Sequence, residues 1–176
     1  MVQASLVLTD GLSLMTKRTV YLETSVIGYA TSRPSRDLVV AARQQITREW
    51  FAAGAGEYEL VISQLVVSEA AAGDEVAARA RAALLRGIHQ LGITEAAGNL
   101  ATALVRSKAV PRKAAEDALH IAIAAVHGVE FLLTWNCKHI ANATMRQGIE
   151  HVCRRAGYEP PVICTPEELT NDDQRG

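Results

Sequence analysis

Cysteine is scarce and badly spaced. The three present, Cys137, Cys153 and Cys164, make no CxxC pair and are odd in number. That excludes a disulfide framework and gives no zinc-ligand spacing, leaving small reduced hydrophobes of the kind found in cytoplasmic proteins. A charge excess of either sign is also missing: 18 Lys and Arg stand against 19 Asp and Glu, for a formal net charge of −1. No global field advertises nucleic acid or an anionic membrane, so a nucleic-acid partner would need a local basic patch. No run approaches the roughly 18 apolar residues of a membrane helix. The first 16 residues are mildly apolar but lack an early basic segment and carry Asp10, which speaks against a signal peptide. They read as an extension over 1–17, with Met15 a candidate natural start.

What is present is ordinary for a globular domain: 176 residues, 49% hydrophobic and 21% charged. That length suffices for one domain with a real core, expected over 18–170 and followed by a polar tail over 171–176. The stretch from Arg18 to Tyr29 organises the rest. Val20, Tyr21 and Leu22 have strand character, Glu23 follows at once, and Thr24 or Ser25 offers a helix N-cap oxygen. Open α/β sheets carry their functional groups at the carboxyl ends of strands, so Glu23 is expected to face a crevice.

The remaining chain alternates strands and helices. A helix is expected over 37–53, a strand over 58–63, a short helix before Gly73, and a helix over 75–86 capped by Asp74. A short strand over 89–94 and a helix to about Lys108 follow. Beyond Pro111, a strongly apolar helix should run from Arg112 to His127. A strand over 130–134, a loop with short helical pieces, a helix over 144–156 and a last strand at Val162–Cys164 complete the pattern. Such alternation predicts an α/β fold: a three-layer α/β/α sandwich around a central parallel sheet.

Four oxygen-bearing side chains stand at comparable places in this scheme. Glu23 follows the first strand, Glu69 lies on the helix after the second, Asp117 opens the apolar helix, and Asn136 follows the strand over 130–134. A carboxylate near a helix N-terminus is favoured by the dipole by about 0.3–1 kcal/mol, which accounts for Asp117 alone but not for the other three. Oxygen donors converging from several strand ends suit Mg²⁺ or Mn²⁺, which can generate hydroxide and steady the charge on a phosphodiester under attack. His120, three residues after Asp117, shares its helical face. Lys138 and His139 could meet phosphate or form a solvated loop, the two readings being equal; Arg112 and Lys113 beside Pro111 could form a phosphate-contacting edge but read first as a solvated basic face.

The segments Tyr-Leu-Glu23-Thr-Ser25-Val-Ile-Gly-Tyr, Ser68-Glu69, Glu116-Asp117-Ala-Leu-His120 and Leu-Leu-Thr134-Trp-Asn136-Cys-Lys-His together resemble PIN-domain ribonucleases of the VapC toxin type. The likeness spans about Arg18 to Pro166. It implies a PIN-like, Rossmann-like fold, a cytoplasmic homodimer, Mg²⁺- or Mn²⁺-dependent cleavage of RNA, and a cognate antitoxin protein. It also implies that Glu23, Glu69, Asp117 and Asn136 form the catalytic and metal-binding set, with Ser25 and Thr134 as supporting hydroxyls. Two positions depart from the family's commonest pattern, in that Glu23 and Asn136 stand where Asp is usual. With three carboxylates and an amide, one tightly held ion is expected, and a second only alongside substrate. Two other readings stay open: a PIN module that binds RNA or protein without cutting, and a metal-binding phosphoacceptor domain, for which a Glu as first acid is a poor choice.

Overall fold

The computed structural model describes residues 17–169. The expected extension apart from Lys17, the candidate start at Met15 and the polar tail lie outside the described residues. Five strands, β1 (Thr19–Leu22), β2 (Glu59–Ser63), β3 (His89–Leu91), β4 (Phe131–Leu133) and β5 (Val162–Cys164), form one sheet in the order β3-β2-β1-β4-β5. Every neighbouring pair is parallel. β1 is central, with Tyr21 level with Val61 on one side and Leu132 on the other. A parallel sheet is covered on both faces, and the strand sequences reflect this as continuous apolar runs rather than alternation. Val20, Tyr21, Leu22, Leu132 and Leu133 are all fully buried.

Among the described residues seven α-helices cover the sheet: α1 (Thr24–Thr31), α2 (Leu38–Ala53), α3 (Gln64–Ala70), α4 (Glu75–Leu84), α5 (Glu95–Arg106), α6 (Ala115–Val126) and α7 (Ala143–Arg155). They fall into two mutually packed sets. α1 touches α2, α3 and α4, whereas α5 packs on α6 and α7. Side-chain caps start most of them: Asp37 accepts from the Val40 N–H at 3.0 Å, Asp74 from Ala77 at 2.9 Å and Thr94 from Ala97 at 3.1 Å.

Several expected boundaries move. α5 stops at Arg106, because Lys108 takes a positive φ of 63° and the Val110 N–H turns back to Leu104 O at 3.1 Å. The apolar helix begins at Ala115 rather than Arg112; Arg112–Ala114 form a 3₁₀ turn, with the Ala114 N–H bonded to Pro111 O at 2.8 Å. This shift places Glu116 and Asp117 in the first turn of α6. The segment between Trp135 and Asn142 is built of turns, not short helices.

The chain leaves β1 in one direction to build β2 and β3, then returns to place β4 on the other side. The gap between β1 and β4 at their carboxyl ends is therefore the topological switch point, where a parallel sheet opens a crevice. The connections there are as short as they can be. One residue, Glu23, separates β1 from α1, and none separates β2 from α3.

Candidate metal centre

Glu23 still belongs partly to the sheet, since its N–H donates to Leu133 O at 3.0 Å. Its side chain folds back over the first turn of α1, where Oε1 accepts the Ser25 N–H at 3.1 Å. Glu23 is thus itself the N-cap, in place of the expected Thr24 or Ser25. Its other oxygen, Oε2, lies under two hydroxyls: Thr134 Oγ1 donates at 2.6 Å, and Ser25 Oγ donates as well. These donors satisfy the oxygens of a carboxylate that is only 6% exposed. The hydroxyls are held in turn, Thr134 by the Asn136 N–H at 2.9 Å and Ser25 by the Trp135 N–H at 2.8 Å. Ser25 and Thr134 thus both donate to the Glu23 carboxylate.

Glu69 lies on α3 and reaches the same crevice. Its Oε2 accepts from Thr24 Oγ1 and faces His120 Nε2 at 3.1 Å. Burial alone would raise the Glu69 pKa, but the hydrogen bonds from His120 and Thr24 oppose it, and the net shift is downward. Thr24, expected as a possible cap, is instead a link between α1 and Glu69. His120 is buried behind Glu69, and its Nδ1 lies 2.8 Å from the hydroxyl of Tyr21.

Asp117 is half-buried in the first turn of α6. Burial pushes its pKa upward, the charge of His139 opposes this, and the negative charges of Glu23 and Glu69 add to the rise. These couplings put the three carboxylates within reach of each other's fields. Asn136 Nδ2 donates to Asp117 Oδ1 at 2.9 Å, while Asn136 Oδ1 accepts the His139 N–H at 3.1 Å. The amide of Asn136 thus presents its N–H to the acid and spends its carbonyl on the following loop. The loop after β4 is anchored from behind, because Trp135 Nε1 donates to Thr47 Oγ1 on α2 at 2.7 Å and Arg43 lies 5.2 Å from the centre of the Trp135 ring.

Arg112 and Lys113 are exposed on the 3₁₀ turn before α6, and Lys138 is exposed in the loop after β4. His139 is half-buried, and its Nδ1 is a buried nitrogen without a hydrogen-bond partner among the described residues.

Glu23, Glu69 and His120 each offer one ligand atom, all within 4.8 Å of one another, and this group could hold a metal ion. The donor chemistry fits a hard divalent cation. Among the described residues, neither Glu23 nor Asp117 has a Lys or Arg within ion-pair distance, and Glu69 meets only His120. Glu23 and Glu69 with His120 form the close group, with Asp117 beside it, and two carboxylates facing one site with no Lys or Arg between them leave a charge that a cation would balance.

Sequence reasoning placed Glu23 and Asn136 after strands and Glu69 and Asp117 on helices; the structure brings Glu23, Glu69 and His120 within 4.8 Å of one another, joins Ser25 and Thr134 to Glu23, and joins Asn136 to Asp117 outside that close group. It missed Tyr21 and Ser63, whose hydroxyls lie 2.6 Å apart behind the site. The available signal was Tyr21 itself, since a tyrosine in a fully buried strand needs a partner for its hydroxyl.

No family model matches the chain, and no curated protein matches it. Among solved structures it is similar to a chain of VapBC2 from Rickettsia felis, solved bound to a DNA fragment from its promoter. The TM-score is 0.54 and the identity 12%, over 84% of this chain and 98% of that one. At such identity the likeness is one of fold. Together with the five-stranded parallel sheet, it shows that the chain has a PIN-like fold.

Proposed function

We propose that the crevice is the active site of a divalent-metal-dependent endoribonuclease, and that the protein is the toxin of a toxin–antitoxin pair. The observation that carries this reading is the approach of Glu23, Glu69 and His120 to within 4.8 Å of one another at the carboxyl end of the sheet, beside Asp117 and with no Lys or Arg among them. The fold likeness to a VapBC2 chain supports the partner assignment, a small antitoxin protein that covers the acidic crevice.

In this reading Glu23, Glu69 and Asp117 hold Mg²⁺ or Mn²⁺, with Asn136 completing the set once its carbonyl turns from the His139 N–H. When bound, the cation lowers the pKa of water and offsets the charge that grows on the phosphodiester during in-line attack. The chain's own residues do the positioning. Thr134, Ser25 and the Ser25 N–H fix the Glu23 carboxylate, so its donor atoms need no rearrangement on binding. Asn136 fixes Asp117 through Oδ1 and leaves Oδ2 for the site. Arg112, Lys113, Lys138 and His139 lie near Asp117 and Asn136 in sequence, and in this reading they bind the RNA backbone rather than bases. The described domain is one unit, and the functional protein is a cytoplasmic homodimer.

Incubating a mixed RNA pool with Mn²⁺, alongside the Asp117→Asn protein, tests the reading. Cleavage by the natural protein and its loss in the variant are expected; equal cleavage by both overturns it. One observation favours a second reading, an RNA-binding module that does not cut. The Asn136 carbonyl is engaged by His139, so the fourth ligand is not presented. RNA binding without cleavage in the same experiment would select it.

A further inference from the structure

Tyr21 and His120 are buried polar residues outside the four-residue set, and their bonds run in one direction. Tyr21 Oη lies 2.6 Å from Ser63 Oγ and 2.8 Å from His120 Nδ1, and His120 Nε2 lies 3.1 Å from Glu69 Oε2. The Tyr21 and His120 rings also meet edge to face, with centroids 5.8 Å apart. The carboxylate of Glu69 can only accept, so the ring proton sits on Nε2. Nδ1 of that tautomer is an acceptor, and the Tyr21 O–H fills it. The Tyr21 oxygen then accepts the Ser63 O–H, while Ser63 Oγ caps α3 by accepting the Val66 N–H at 3.4 Å. Each hydroxyl and ring proton is used once, with none left over.

The reverse arrangement fails this count. If Nδ1 carried the proton and Nε2 were bare to bind a cation, Tyr21 would donate to Ser63. The Ser63 proton would then have no acceptor among the described residues, in a side chain that is fully buried.

We propose that Tyr21 and His120 are positioning residues for Glu69, not ligands. Through the one-way chain from Ser63, they pin Glu69 Oε2 together with Thr24, leaving Oε1 to bind the divalent cation. Partners that orient a ligating carboxylate are as much part of such a site as the ligand itself. The inference rests on the proposed metal centre and adds to it a nitrogen donor that touches the ligand and not the ion. It also accounts for the tyrosine in β1, where the flanking Val20 and Leu22 are aliphatic and equally buried.

The test is Mn²⁺ affinity by calorimetry on the full chain, with pulsed electron paramagnetic resonance on the same samples. His120→Leu should weaken Mn²⁺ binding by about 10- to 100-fold, the usual effect of losing such a partner. His120→Gln, whose Nε2 can still donate to Glu69, should recover most of that loss, and Tyr21→Phe should weaken binding less than His120→Leu. Bound Mn²⁺ should show no directly coordinated nitrogen. A ¹⁴N coupling that disappears in His120→Gln makes His120 a ligand and overturns the proposal, as does a Gln variant as weak as Leu. Unchanged affinity in both His120→Leu and Tyr21→Phe overturns the positioning role alone. Absence of Mn²⁺ binding by the natural protein overturns the metal centre as well.

Discussion

At the scale of single residues, the site is a balance between burial and repulsion. Asp117 titrates above the ordinary Asp value of 3.8, chiefly because it is buried, with the charges of Glu23 and Glu69 adding to the rise. For an acid whose folded pKa is raised, the stabilising contribution is complete below that ordinary value and is lost as pH rises through the folded value. Without metal, the Asp117→Asn protein should therefore be more stable than the natural one at neutral pH, with the gap closing as pH falls towards 3.8. Urea midpoints measured in chelator across that range check this; a gap that widens towards acid contradicts it. Glu69 has the opposite sign. Its lowered pKa contributes stability above its ordinary 4.5 that is lost as pH falls through the folded value. Thr134 offers a separate test, because its hydroxyl donates to a buried carboxylate at 2.6 Å. Thr134→Val should cost about 1–3 kcal/mol by urea unfolding, since it leaves Glu23 short of a donor.

At the scale of elements, the crevice exists because the connections out of β1 and β2 are too short to carry anything away from the strand ends. Stability and site can therefore be separated by choosing helices far from that edge. Asp74→Ala removes the cap of α4 and should cost about 0.5–2 kcal/mol while leaving Mn²⁺ affinity unchanged; thermal melts and calorimetry on one sample read both. The strand-to-helix junction at Glu23 was legible because Val-Tyr-Leu followed by an acid and two small hydroxyl residues has few other readings. Which side chain caps α1 was not. Glutamate is seldom an N-cap, and its choice here depends on Thr134, more than a hundred residues away. The start of α6 was misplaced for a local reason, since Arg112, Lys113 and Ala114 have helical propensity yet form a tighter turn after Pro111. The orientation of the Asn136 amide is set by the His139 backbone N–H, a contact that spacing does not encode.

At the scale of the whole molecule, strand order decides which residues meet. With β1 between β2 and β4, Glu23 lies beside Thr134 and within reach of Glu69, although these residues are far apart in the chain. The alternation of strands and helices was enough to expect a parallel sheet, and the order β3-β2-β1-β4-β5 supplies the switch point that alternation alone does not. A cation bound only by the folded chain should stabilise all of it, by about 2.7 kcal/mol at a hundred times the dissociation constant. Thermal melts with Mn²⁺ and with chelator should differ accordingly in the natural protein and coincide in Asp117→Asn. The most direct measurement of the central claim is anomalous scattering from crystals soaked in Mn²⁺ without RNA. One strong peak among the carboxylates of Glu23, Glu69 and Asp117 is the result expected; no peak in that crevice, or two fully occupied ones, would contradict the account.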